Sequence, residues 1–405
     1  MKLFKYEMKK LLFNKNRLIL LAVMFILFTL MSLLTSSGTF EMRGSSGYQE
    51  YLNLVTEHSG TLNPEQFAES KQISEAARAS HEAEYGKAEN DLFVAYLFRN
   101  PVMKFHYDYA NFGERVYEYW NGPEPQDKSD IKGFYPLEEK LETLKNQQDS
   151  YEYKYYQKRL ATELSQGEPV FANKQFWNNF SAAFDITRVV FLLLMIVAFF
   201  IAPVFTREIK DDMNSIILCS LKGRREIVTA KLLSVCSTAA ILTAVYFAGN
   251  FIGAFIANGN IVGFDAPARC FATFEGTAID TTVGGIAFFG VLWTTLAAVV
   301  FGLVVCLISA YAKNQTSVFG LSIVFILTFS MMGFLPDHIH AMIWPLIDFN
   351  FVTLSLCGMI FSGSTMYNFL GMPLSYGIAA FIVCIALSVI TVLLTYLAQR
   401  KRSVV

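Results

Sequence analysis

The sequence predicts an all-α integral membrane protein with six transmembrane helices. Three observations carry this reading. Of the 405 residues, 53% are hydrophobic and only 17% are charged, whereas soluble domains carry roughly 25% charged residues. The charges are clustered, with 23 of the 34 acids and 15 of the 33 bases between residues 36 and 184. Uncharged runs cover 18–40, 189–206, 232–264, 281–312, 314–336 and 349–399. A helix needs about 20 apolar residues to cross a hydrocarbon core about 30 Å thick. A formal net charge of −1 without a basic tract excludes a nucleic-acid binder.

Residues 1–17 read as a cytoplasmic amphipathic helix. Phe4, Met8, Leu11 and Leu12 recur at helical spacing with lysines between them, which suits a helix lying at a membrane surface. The alternative is a basic flank that only orients the first span. That span covers 18–37, and its apolar run is too long for a signal-peptide core, so it is expected to stay as an anchor. Five further spans are placed within 185–405, near 187–206, 232–257, 285–311, 316–335 and 376–397.

Orientation follows from the distribution of Lys and Arg. Six bases precede the first span, six more lie within 207–231, Lys313 sits between the fourth and fifth spans, and Arg400, Lys401 and Arg402 close the chain. Six crossings put all of these on one side, with both termini cytoplasmic and residues 38–184 outside. The apolar stretch 341–363 contains Pro345, Asp348 and Asn350. It is read as part of a re-entrant outer region over 338–372, before the last span, because irregular backbone is tolerated at membrane depth only when buried in protein or lining a cavity.

The 38–184 unit is too long for a plain loop and reads as a helical extracytoplasmic domain. One helix is expected over Pro64–Phe98 and a second over Leu137–Leu164, packed as an antiparallel pair. The Tyr-rich stretch 107–135 would lie between them, with a turn at NGPEP, 121–125. With 23 acids against 15 bases over 36–184, the surface is either a steering field for cationic ligands or an ordinary acidic exterior over core aromatics.

Several chemistries lack their residues. There is no GxxxxGKS or GxxxxGKT phosphate loop, no HExxH and no GxSxG, so no enzyme activity and no bound cofactor are expected of this chain. Asp337, His338 and His340 form the one tempting metal cluster, read instead as a helix start. Six scattered cysteines make no CxxC pair, and Cys270 and Cys357 are left as a possible outer pair. Gly249 and Gly253 form a GxxxG, a small face for close helix packing, either within the chain or across a dimer seam. Pro203 is expected to kink the second span.

The most informative segment is FTREIKDDMNSIILCSLKGRREIVTAKLL, residues 205–233. Acids lead, an apolar stretch Ile216–Leu221 follows, and bases re-enter the membrane. This segment and the N-terminal KYEMKKLLFNKNR resemble a permease subunit of the type-2 ABC exporters. The shared features are a basic N-terminal helix running into the first span, a Glu just past the second span, a short apolar helix, then a Gly-Arg and a Lys starting the third span.

The resemblance implies a coupling helix near 209–222 within segment 207–231. Glu208, Asp212, Ile216, Ile217, Leu218, Gly223, Arg224 and Lys231 would be its coupling residues. Two separately encoded ABC ATPase subunits would hold ATP and Mg. A second permease chain, identical or paralogous, would complete the complex in the bacterial plasma membrane. An amphipathic or hydrophobic cargo (antimicrobial peptide, drug or lipid-like molecule) would be exported. The insertion at 38–184 departs from the simpler members of the family. The rival readings are a mechanotransmission ABC permease, or a non-transporting receptor whose outer domain binds a partner.

Overall fold

The computed structural model describes residues 2–85, 90–121, 134–185, 188–210, 223–274, 279–332, 335–361 and 366–401. The chain is mostly helical and is a multi-pass membrane protein. Among the described residues, five helices are long and apolar enough to cross a bilayer: Lys15–Thr35, Phe191–Glu208, Arg225–Asn258, Val283–Tyr311 and Tyr376–Arg400. A sixth apolar helix, Gln315–Met331, has 17 residues and so spans about 26 Å.

The Gly223–Asn258 helix is the hub. It packs against the N-terminal helix Lys2–Leu11, the first apolar helix Lys15–Thr35 and the Val283–Tyr311 helix. On the Lys15–Thr35 helix, Met24, Phe28 and Ser32 are buried, a stripe with i, i+4 spacing. Leu18, Ile19, Val23, Ile26 and Leu27 are exposed. An apolar face of that size turned outward belongs against lipid. The last helix repeats the pattern, with Ile378, Phe381, Ile382 and Ile385 outward.

The GxxxG glycines lie inside the chain. A Cβ on Gly253 would meet the Thr29 carbonyl oxygen at 2.5 Å, and one on Gly249 would meet Phe28 Cβ at 2.9 Å. Ser32 Oγ donates to the Asn250 carbonyl at 2.8 Å across the same seam. Gly249 and Gly253 therefore seat the hub on the first apolar helix.

The second apolar stretch is not one regular helix. It opens with a π-helical turn, Val189–Leu194, continues as Met195–Ile201, and restarts at Pro203–Lys210. The restart falls at Pro203, which cannot donate a backbone hydrogen bond.

The helices of the 38–184 unit differ from the expected pair. Helix runs over Pro64–Tyr85 and over Asn90–Arg99, and the residues between them lie outside the described set. The expected second helix divides into Phe134–Thr143 and Tyr151–Gln166. Ser150 caps the latter by accepting from Tyr153 N at 3.1 Å. Residues 101–121, partly read as a connecting stretch, form a helix, Pro101–Asn121, whose Phe105, Tyr109, Phe112 and Val116 are buried at helical spacing. The Pro64–Tyr85 helix packs on this helix, and Phe171, Tyr51, Val55 and Met42 complete the core. Tyr48, Tyr51, Tyr109 and Tyr119 are buried in packing, whereas Tyr85, Tyr117 and Trp120 stay exposed. The turn expected at 121–125 falls almost wholly outside the described residues.

This unit is docked on the segments that join the apolar helices. Glu163 and Arg269 form a buried ion pair. Lys174 Nζ donates to the Cys270 carbonyl at 2.9 Å, and Tyr151 OH donates to the Met366 carbonyl at 2.7 Å. Burial, with Arg115 nearby, pushes the Lys174 pKa below its ordinary value. Cys270 and Cys357 are both free and buried.

Residues 337–375 hold short elements. The helix Asp337–Asp348 breaks at Ile343, two residues before Pro345. Asn350 then caps Phe351–Leu354 by accepting from Val352 N and Thr353 N. A short antiparallel hairpin, Met366–Phe369 with Met372–Ser375, interrupts the otherwise helical chain here. Its turn places Leu370 and Gly371 at φ 52° and 83°, the left-handed values that a tight hairpin turn requires. Tyr367 and Tyr376 close the region by donating to Asp348, at 2.7 Å to its carboxylate and 2.9 Å to its carbonyl.

Candidate coupling site

The site begins with the N-terminal helix. Met8, Leu11 and Leu12 are 6%, 3% and 0% exposed, and Phe4 packs beside them. Their surface is protein: Thr238 Oγ1 lies 3.9 Å from Met8 Sδ, and Ser234 Oγ reaches the Phe4 carbonyl at 3.5 Å. The apolar face expected at a membrane surface is therefore seated on the hub helix. Apolar positions at helical spacing bury against whichever apolar surface is nearest.

Glu7 rides inward on that face. It is the only acid before Glu41, and it is buried. A buried carboxylate is costly unless paired, and here it belongs to a four-charge cluster. Lys10 Nζ lies 3.1 Å from Glu7 and 3.1 Å from Glu208. Lys231 Nζ lies 2.9 Å from Glu208 and 3.8 Å from Glu7. Lys231 is 1% exposed. It also donates to the Val204 carbonyl and sits over the Phe205 ring, 4.7 Å from its centroid. Two acids and two bases alternate, so the cluster is neutral as a whole. Burial works against the charge of Lys10, but the Glu7 and Glu208 carboxylates outweigh it and hold its pKa above the ordinary lysine value.

The helix restart at Pro203 supplies the remaining ligands. Ser309 Oγ donates to the Ala202 carbonyl at 2.9 Å and accepts from Phe205 N at 3.1 Å. Thr206 Oγ1 donates to the same Ala202 carbonyl at 3.1 Å. Backbone groups at the helix restart are thus satisfied by Thr206 and by Ser309 of the Val283–Tyr311 helix. Ser309→Ala is expected to cost about 2 kcal/mol by leaving the buried Phe205 N–H unpaired. A thermal-unfolding midpoint in detergent equal to that of the parent protein would contradict this.

The cluster joins three elements: the N-terminal helix, the Pro203–Lys210 helix and the Gly223–Asn258 helix. The last two flank residues 211–222, and the cluster ties these two flanking helices together. Of the sequence-predicted residues, Glu208 and Lys231 are brought into direct contact. Gly223 and Arg224 open the hub helix. Asp212, Ile216, Ile217 and Leu218 lie outside the described residues.

Sequence reasoning missed Glu7 and Lys10. The signal was the lone acid of a basic helix, placed next to Met8 and one turn before Leu11. Among the described residues, no group of three or more metal-ligating side chains comes together. Comparison with protein-family models and with characterised proteins finds no match for this chain.

Proposed function

We propose that this chain is the permease subunit of an ATP-driven exporter of the type-2 ABC class. In this reading Gln315–Met331 completes six spans. Both termini lie in the cytoplasm, residues 38–184 lie outside, and 338–372 is re-entrant. Two separate ABC ATPases hold ATP and Mg, and a second permease chain pairs with this one. The cargo is an amphipathic or hydrophobic molecule.

The observation that carries the reading is the Glu7–Lys10–Glu208–Lys231 cluster. A cytoplasmic segment can transmit a push only if its ends are fixed to the membrane helices. Here the helices on either side of 211–222 are joined to each other and to the N-terminal helix. A displacement of that segment by an ATPase would move the Pro203–Lys210 helix and the hub together. ATP would then shift the permease between two conformations by binding them unequally.

The test is purification of the tagged full-length chain from its native membrane in mild detergent, with mass spectrometry of the copurifying chains. The expected result is a stoichiometric subunit carrying a phosphate loop. Replacing Ile216, Ile217 and Leu218 by Asp is expected to reduce that subunit at least about tenfold, the equivalent of roughly 1.4 kcal/mol, while the permease stays inserted. A parent preparation without an ATPase after crosslinking would overturn the reading. Undiminished association in the variant would overturn the coupling assignment.

A further inference from the structure

The hairpin formed by Met366–Phe369 and Met372–Ser375 carries a bare apolar tip. Leu370 is 90% exposed, Met372 63% and Phe369 62%. Tight hairpin turns ordinarily take Asn or Gly, which reach left-handed backbone at little cost. Here a leucine holds φ 52°, a conformation disfavoured for a bulky side chain. An apolar residue thus stands at the tip against the preference of the turn itself, which points to an apolar surround.

The backbone near the tip suits such a surround. Gly371 N donates to Asn368 Oδ1 at 2.8 Å. Pro373 has no N–H to satisfy, and its carbonyl accepts from Lys158 Nζ at 3.2 Å. The Met366 carbonyl accepts from Tyr151 OH at 2.7 Å. Backbone groups placed beside lipid need partners of this kind within the protein.

The hairpin also lies at a boundary. On one side it is held by Tyr151 and Lys158, from the polar Tyr151–Gln166 helix. On the other, Tyr367 stacks on Trp344 with ring centroids 4.8 Å apart and donates to the Asp348 carboxylate. Trp and Tyr collect at membrane–water interfaces. The second strand ends at Ser375 and the last apolar helix begins at Tyr376, with Ile378, Phe381 and Ile382 turned outward. Four strand residues carry the tip only about 13 Å from the start of that helix. The exposed tip is therefore continuous with a lipid-facing surface. Residues 349–399 contain no Asp, Glu, Lys or Arg, so the hairpin offers no charged rim of the kind that frames a protein–protein contact.

We infer that residues 369–372 insert into the interfacial layer of the bilayer and, through Tyr151 and Lys158, anchor the Tyr151–Gln166 helix at the membrane surface. The inference requires only that the apolar helices lie in a bilayer. Its failure would leave the permease reading untouched.

The test places photoreactive benzoylphenylalanine at position 370 of the full-length protein in phosphatidylcholine nanodiscs, with lipid adducts counted by mass spectrometry. The same probe at Ile382, outward on the last helix, gives the lipid-facing reference. At Arg78, exposed on the charged Pro64–Tyr85 helix, it gives the aqueous one. Burial of a large apolar side chain favours the apolar phase at least about tenfold, so adducts at 370 are expected to approach those at 382 and exceed those at 78 by about that factor. Adducts no more frequent than at 78 would overturn the insertion. A crosslinked dimer in place of lipid adducts would overturn it in favour of a second copy of this chain. The anchoring is read by hydrogen exchange in the double variant F369S/L370N. Asn suits the left-handed position better than Leu, so this variant does not act by straining the turn. Faster exchange over Tyr151–Gln166 in nanodiscs is expected, and exchange equal to that of the parent protein would overturn the anchoring role.

Discussion

Lys231→Met is expected to destabilise the protein by about 3 to 5 kcal/mol, the range for removing one partner of a buried ion pair. Lys231 is 1% exposed and holds Glu208 at 2.9 Å. Without it, Glu7 and Glu208 share Lys10 alone, and one negative charge is left uncompensated in a closed space. Glu7 and Glu208 are buried, so water solvates that charge poorly. The Val204 carbonyl would also lose its donor.

The measurement is the midpoint of thermal unfolding in detergent, read with the fraction of monodisperse protein by size exclusion. The informative partner is Lys231→Met combined with Glu208→Gln, which restores neutrality with Glu7 and Lys10 still paired. That double variant is expected to be more stable than Lys231→Met alone, by a coupling of about 1 to 3 kcal/mol. If the double variant were less stable by the sum of the two single changes, the cluster would not act as a unit.

Gly253→Leu should cost roughly 3 kcal/mol, at the upper end of overpacking effects. Even a Cβ at this position would come within 2.5 Å of the Thr29 carbonyl oxygen and 2.6 Å of Ser32 Cβ. The first obstacle is backbone, so no rotamer change relieves it, and the two helices must separate. Separation also breaks the Ser32–Asn250 hydrogen bond. Gly44 is the comparison, because a Cβ there meets nothing within 4 Å, and Gly44→Ala should leave stability almost unchanged. Crosslinking between cysteines placed on the two helices would follow the separation directly. Equal crosslinking rates in the parent and in Gly253→Leu would contradict the packing argument.

The helical positions inside the membrane were legible because their signal is local. An uncharged run of about 20 residues has few other uses, and Lys15–Thr35, Val283–Tyr311 and Tyr376–Lys401 fall close to the expected spans. The 38–184 unit was less legible. Its helices carry aromatic core residues, and Phe105, Tyr109 and Phe112 read as readily as a stacking surface as they do as a buried face. Separate helices at Phe134–Thr143 and Tyr151–Gln166 were read as one because continuous helix-forming residues do not announce where packing ends a helix.

By itself the sequence determined which runs are apolar enough for a bilayer, where the polar insertion lies, and which face of residues 2–12 is apolar. Each follows from composition or from a period of 3.6 residues, quantities fixed within one or two turns of chain. Tertiary structure alone decided the partners. It brought Lys10 to Glu208 across a sequence separation of 198 residues, seated Gly249 and Gly253 on the first apolar helix rather than on a dimer seam, and turned the N-terminal apolar face to protein. Periodicity specifies that a face must be covered but not what covers it. The choice is made by the close packing of whole helices, in which a missing Cβ and a pairable charge are each satisfied at one place only.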